Sequence, residues 1–181
     1  MKRQSGFNLT ELVIVMAIVA ILMSIGVPSY RYVTNSYRLS SEVNDLLGDL
    51  MYARAESVKE GQGVTVCVSN GVNCLGNTSW QNGWVVFSNP TGAANPPAGS
   101  ILRVHAAFSG TVPDTFVASA GVSAVTYNRE GFATTAAGFP ATTITLQDQT
   151  HNVAWTRCLL ISAQGTLTTE TPSNSPSGTC L

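Results

Sequence analysis

One segment limits what this chain can fold into more than any other. From Phe7 to Val27 the sequence FNLTELVIVMAIVAILMSIGV is mostly apolar and carries one charge, the carboxylate of Glu11. A helix of that length spans about 30 Å, the thickness of a bilayer's hydrocarbon core. A charge inside such a segment is costly, so Glu11 is a candidate functional residue by that argument alone. Lys2 and Arg3 precede the segment and hold the N-terminus in the cytoplasm, which sends everything after Pro28 outside. Two other readings of the N-terminus exist, a cleaved secretory signal peptide with Ser24-Ile25-Gly26 as its cut site, or a plain signal anchor. The apolar run is longer than a signal peptide's roughly 7–15 residues and carries a carboxylate, which argues against the first.

Pro28 removes the amide that would bond the carbonyl of Ser24, so a kink or loosening of the helix is expected there. Helical spacing then resumes. From Tyr30 to Glu60 there is no proline, and apolar residues recur at Val33, Tyr37, Val43, Leu46, Leu47, Leu50, Met51 and Val58. Gly61 and Gly63 end the helix. Beyond them the text changes to strands and turns. Val64–Val68, Trp84–Phe87, Ile101–Ala107, Val122–Asn128, Thr142–Leu146, Cys158–Ser162 and Thr166–Thr169 are the predicted strands. Ser88–Ser100 reads as a loop, and Asn128–Gly131 and Gln164-Gly165 read as turns. The fold class is therefore α+β, a long N-terminal helix packed on an antiparallel sheet. The expected organisation is a leader over 1–6, a membrane-spanning helix over 7–28, an amphipathic helix over 29–61 and a β-rich head over 62–181.

Charged residues make up only 10% of the chain, against about 25% in an average soluble domain. Past residue 60 the basic side chains are Arg103, Arg129 and Arg157, facing Asp114, Glu130, Asp148 and Glu170. That slightly acidic head gives nucleic-acid binding little electrostatic support. Four cysteines in an outward-facing domain suggest disulfides, with three pairings possible. The favoured pairs are Cys67–Cys74, which clips a local loop, and Cys158–Cys180, which ties the tail to a strand. Zinc is the rival use of these cysteines, but no C-x₂₋₄-C pair is present and only His105 and His151 are there to assist. No cofactor is expected. Phosphate-loop, dinucleotide, nucleophile-elbow and zincin patterns are all missing. Trp80, Trp84 and Trp155 fall in separate elements, which suits a core better than a carbohydrate platform.

The N-terminus resembles the leader of type IV pilins and pseudopilins: a short basic leader ending in Gly6, then Phe7, then an apolar helix with Glu11 four residues on. The resemblance implies that prepilin peptidase cuts between Gly6 and Phe7 and that the new Phe7 amine is methylated. Given that cationic amine, Glu11 is expected on physical grounds to pair with the Phe7 amine of a neighbouring subunit, offsetting part of the cost of an unpaired ion in an apolar medium. Further on, LMYARAESVKEGQGVTVCVS, NGWVVF, VTYNREGFAT and RCLLISAQGTLTT resemble the GspH/FimT branch, which includes FimU-type minor pilins. That likeness implies a low-copy structural subunit of a type IV pilus that helps start assembly at the filament tip and supports twitching motility or adhesion. The implied partners are other pilins and minor pilins, an inner-membrane assembly platform, prepilin peptidase and the membrane. The implied location is a single pass of the inner membrane with a periplasmic head, then the pilus. The alternatives are the tip pseudopilin of a type II secretion system and a DNA-uptake minor pilin. DNA-gripping members carry a Gly-Arg-x-Arg motif where this chain has Gly165, Thr166, Leu167 and Thr168, so both arginines are missing.

Overall fold

The computed structural model describes residues 8–108, 114–135, 142–176, 178 and 180. One helix, α1, runs Leu9–Glu60 and stops where Gly61 takes a left-handed φ of 66°. Pro28 lies inside α1. The chain divides into two compact units, one up to Arg38 and the other from Leu39 onward.

In the second unit, the helix buries Leu39, Val43, Leu46, Leu50, Ala53 and Ser57. These recur every three or four residues, so they form one stripe. Several residues of the expected apolar series lie off that stripe: Val33, Tyr37, Met51 and Val58 are exposed. The first buried residue of the helix is Leu39, and the stripe uses Ala53 and Ser57, which apolar spacing does not single out.

The stripe packs on two antiparallel sheets where sequence spacing predicted one. The first contains β1 (Val64–Val68), β2 (Trp84–Ser88), β3 (Ile101–His105), β5 (Ala124–Tyr127) and β6 (Ala133–Thr135), in the order β3-β2-β1-β5-β6. The second contains β4 (Thr115–Ala118), β7 (Thr142–Gln147), β8 (Arg157–Ile161) and β9 (Leu167–Glu170), in the order β4-β7-β8-β9. β4 and β6 are additions to the predicted set. They are three or four residues long, too short for alternation to register, and each is held by the strand it pairs with.

Both sheets share one core. Val66, Trp84, Val125 and Tyr127 from the first meet Phe116, Ile144, Leu146 and Leu159 from the second and the helix stripe. β1 is buried along its whole length because its other face is covered too, with Cys67 joining Val85 and Phe87 in a smaller cluster. Thr65, on that second face, is buried too and shares hydrogen bonds with Thr126 and Asn89. The loops over this face are pinned. The Cys74 amide donates to Asn95 Oδ1 at 3.0 Å, and buried Asn89 donates to Thr65 Oγ1 at 2.9 Å.

Arg54 links the helix to both sheets. Its Nε donates to Gly131 O at 3.0 Å in the β5–β6 turn, and its terminal nitrogen donates to Gln164 O at 3.1 Å in the β8–β9 turn. Gly165 has a φ of 74°, and a Cβ there would run into Gly131 O, so the position needs both glycine's backbone freedom and its lack of a side chain.

Two outcomes test this packing. Leu50→Ala empties a fully buried site and is expected to cost about 2–5 kcal/mol, whereas Met51→Ala, one residue on and half exposed, stays within about 0.5 kcal/mol. Denaturant unfolding followed by tryptophan fluorescence separates them. The Tyr127 hydroxyl is buried without a hydrogen-bond partner among the described residues. Burial pushes its phenol well above the ordinary value, against a smaller opposing pull from Arg54. Because the folded value is raised, this group's contribution is complete below the unfolded value of about 10 and is lost as pH rises above it. Tyr127→Phe is expected to equal or exceed the parent's stability at pH 7 and to lose less of it between pH 10 and 11 in the same unfolding assay.

Candidate assembly surface

The first unit begins with a helix start built by Asn8. Its carbonyl accepts from the Glu11 and Leu12 amides at 3.0 and 3.1 Å, and its side chain accepts from the Thr10 amide at 3.4 Å. This cap places Glu11 in the first turn, where a carboxylate faces the positive end of the helix dipole. Gly6 and Phe7 lie outside the described residues, so the expected cleavage point has no geometry here.

Beyond the cap every residue from Leu9 to Thr34 is exposed, Glu11 included. Leu12, Ile14, Met16, Ile18, Leu22 and Ile25 each have more than half of their surface open. Val19, Leu22, Met23, Gly26, Val27, Tyr30 and Arg31 line a shallow groove of about 610 Å³ along one side. Monomeric soluble proteins rarely expose a contiguous apolar surface larger than a few hundred Å². The segment is long and apolar enough to cross a membrane. Chemically it can partition into lipid or pack against other apolar helices. Ser24 Oγ donates to Ile21 O at 2.7 Å, one turn before Pro28.

The four cysteines form two bridges, Cys67–Cys74 and Cys158–Cys180. No free cysteine remains among the described residues, and no three His, Cys, Asp or Glu side chains gather there as a metal would require. Trp80 and Trp84 are fully buried, and Trp155 packs at the core's margin.

The polar features of the second unit hold elements together. Asp49 accepts from Trp84 Nε1 at 2.9 Å and from Arg103 at 3.0 Å, and the Arg103 guanidinium lies 3.7 Å over the Tyr52 ring. His105 stacks on Trp84 at 3.9 Å with Nε2 3.7 Å from Asp45. Together they fasten edge strand β3 to the helix. His151, in a left-handed turn, sits 2.8 Å from Gln147 Oε1. At the β5–β6 hairpin Arg129 pairs with Glu130 and holds that carboxyl below the usual range, in full solvent. Sequence reasoning missed Asp49 and Arg54. Both stand beside the buried stripe of an amphipathic helix, and nothing in their spacing marks them.

The family described as Type II transport protein GspH matches residues 42–165, and the Prokaryotic N-terminal methylation motif matches residues 1–27. The chain belongs to the GspH family. Two crystal structures of the type IV minor pilin FimU from Pseudomonas aeruginosa share the fold. One is 21% identical with a TM-score of 0.52, covering 80% of this chain and 96% of that one. The other is 20% identical with a TM-score of 0.55, covering 83% of this chain and 96% of that one. No curated protein matches. This GspH-family chain thus has the architecture of a structural pilin, in a family of minor pilins and pseudopilins of type IV pili or type II secretion systems. Family and fold are those of assembly subunits and not of enzymes.

The exposed helix sets a solubility prediction. A chain beginning at Arg31 is expected to run as a monomer in size-exclusion chromatography without detergent, while the full chain requires detergent or lipid to leave the void volume.

Proposed function

We propose that this chain is a minor pilin of a type IV pilus. It enters the inner membrane through Phe7–Pro28, is cut by prepilin peptidase between Gly6 and Phe7, and is methylated on the Phe7 amine. It then joins other minor pilins at the filament tip, where it helps start assembly and supports twitching motility or adhesion. Its action is mechanical. The helix from Leu12 to Val27 packs among neighbouring helices, and Glu11 meets the Phe7 amine of an adjacent subunit. Local loosening at Pro28, where the Ser24 carbonyl loses its helical donor, lets the rod adjust during that packing.

The single observation that carries this reading is the exposed apolar run with Glu11 as its lone charge, lying within the matched N-terminal methylation motif. Such a surface calls for a bilayer or other helices to cover it, and a lone carboxylate there calls for a cation. A second reading, a pseudopilin of a type II secretion system, is favoured by the name of the family that matches the head.

A deletion strain scored for surface pili, twitching and protein secretion separates the two. Loss of pili and twitching with secretion intact is the expected result, and the reverse pattern assigns the chain to secretion. Restoring the gene as Glu11→Ala is expected to return membrane-inserted protein but not pili. The mature N-terminus, read by mass spectrometry, is expected to start at a methylated Phe7.

A further inference from the structure

The helical rise of about 1.5 Å per residue puts Arg31 about 30 Å along the axis from Glu11, one hydrocarbon thickness. No residue between them is charged. At the far end Tyr30, Arg31 and Tyr32 stand together, all exposed, the tyrosines at 73% and 51%. Tyrosine and arginine suit a membrane–water boundary. The phenol has an apolar body and a polar tip, and the guanidinium reaches lipid phosphates while its stem stays in apolar surroundings.

Two placements in a bilayer compete. If the apolar run Phe7–Val27 were centred by itself, Glu11 would lie about 6 Å inside the hydrocarbon, four residues in from the run's end. If Tyr30–Tyr32 occupy the headgroup layer on the exit side, Glu11 reaches the opposite headgroup layer and stays hydrated. The second placement exchanges Phe7 and Leu9 for Pro28, Ser29 and the ring of Tyr30, and it leaves no charge in lipid, so the cost of immersing a carboxylate favours it.

We propose that Tyr30, Arg31 and Tyr32 form a phospholipid-headgroup anchor that fixes the depth of the unassembled subunit and keeps Glu11 at the cytoplasmic interface. The inference rests on the membrane-inserted pilin reading and adds a timing to it. The resting subunit needs no partner for Glu11. Outward movement pulls the anchor from the headgroups and draws Glu11 into lipid, by about 5.4 Å for each helical turn. Only then does the carboxylate require a neighbour's amine, so the anchor discourages escape without a partner.

The test uses the full chain with its disulfides intact, in nanodiscs of phosphatidylethanolamine and phosphatidylglycerol. A nitroxide is placed on one introduced cysteine, Thr10→Cys, Ala20→Cys or Thr34→Cys. Its accessibility to a water-soluble nickel chelate is compared with that to oxygen. Positions 10 and 34 are expected to be water-accessible and position 20 lipid-accessible. With Tyr30→Ala, Arg31→Ala and Tyr32→Ala combined, position 10 is expected to lose chelate accessibility several-fold as the helix slides outward. The proposal is overturned if position 10 is already as shielded as position 20, or if the triple variant leaves position 10 unchanged. A triple variant that keeps its depth but fails to form pili also overturns it and assigns the band to subunit contacts. If no label reports lipid contact, the membrane reading itself fails, and that result is distinct from a failed anchor.

Discussion

An apolar helical surface has to be covered, and along α1 two different surroundings meet that demand. From Leu39 to Ser57 the protein's own sheets cover one stripe. From Leu9 to Thr34 all sides are open. Burying each large aliphatic side chain in the open run is worth roughly 1.5–3 kcal/mol, so lipid or neighbouring helices are strongly favoured over water. A subunit that moves from a bilayer into a fibre, the role proposed above, depends on such a surface.

The head turns the other end of the rod into something specific. Its core is apolar and shared by both sheets. The joints between elements are polar and directional: Arg54 across two turns, Asp49 between Trp84 and Arg103, and the Cys158–Cys180 bridge on the tail. Hydrogen bonds of this kind fix register and orientation more than they add stability. Arg54, Asp49 and Arg103 are committed to these joints, while Arg129 and Glu130 stay in solvent on the β5–β6 hairpin.

Much of this was legible in the sequence where a pattern was long. The apolar run, the helix up to Glu60, the central strands β1, β2, β7 and β8 and both turns around Gly131 and Gly165 follow from periodicity and glycine placement. Three features were less legible. The split into two sheets depends on which strands pair across long separations, and local spacing does not encode that. β4 and β6 exist through their partners. The boundary of helix burial depends on where the head begins to cover the helix, so Val33 and Tyr37 look like core by spacing and are exposed. At the candidate site, Glu11 stood out as the one charge in an apolar run. The Tyr30–Tyr32 band did not, because its meaning depends on its distance from Glu11.

The most direct measurement of the central claim is oxidative footprinting of methionines in sheared filaments. Met16, Met23 and Met51 are each more than half exposed in the isolated chain, and thioether oxidation reports their solvent access. If the open half of the helix is covered by neighbouring helices, Met16 and Met23 in filament-borne protein resist oxidation while Met51 still reacts. Equal oxidation of all three in the filament, or filaments that never contain this chain, contradicts the account.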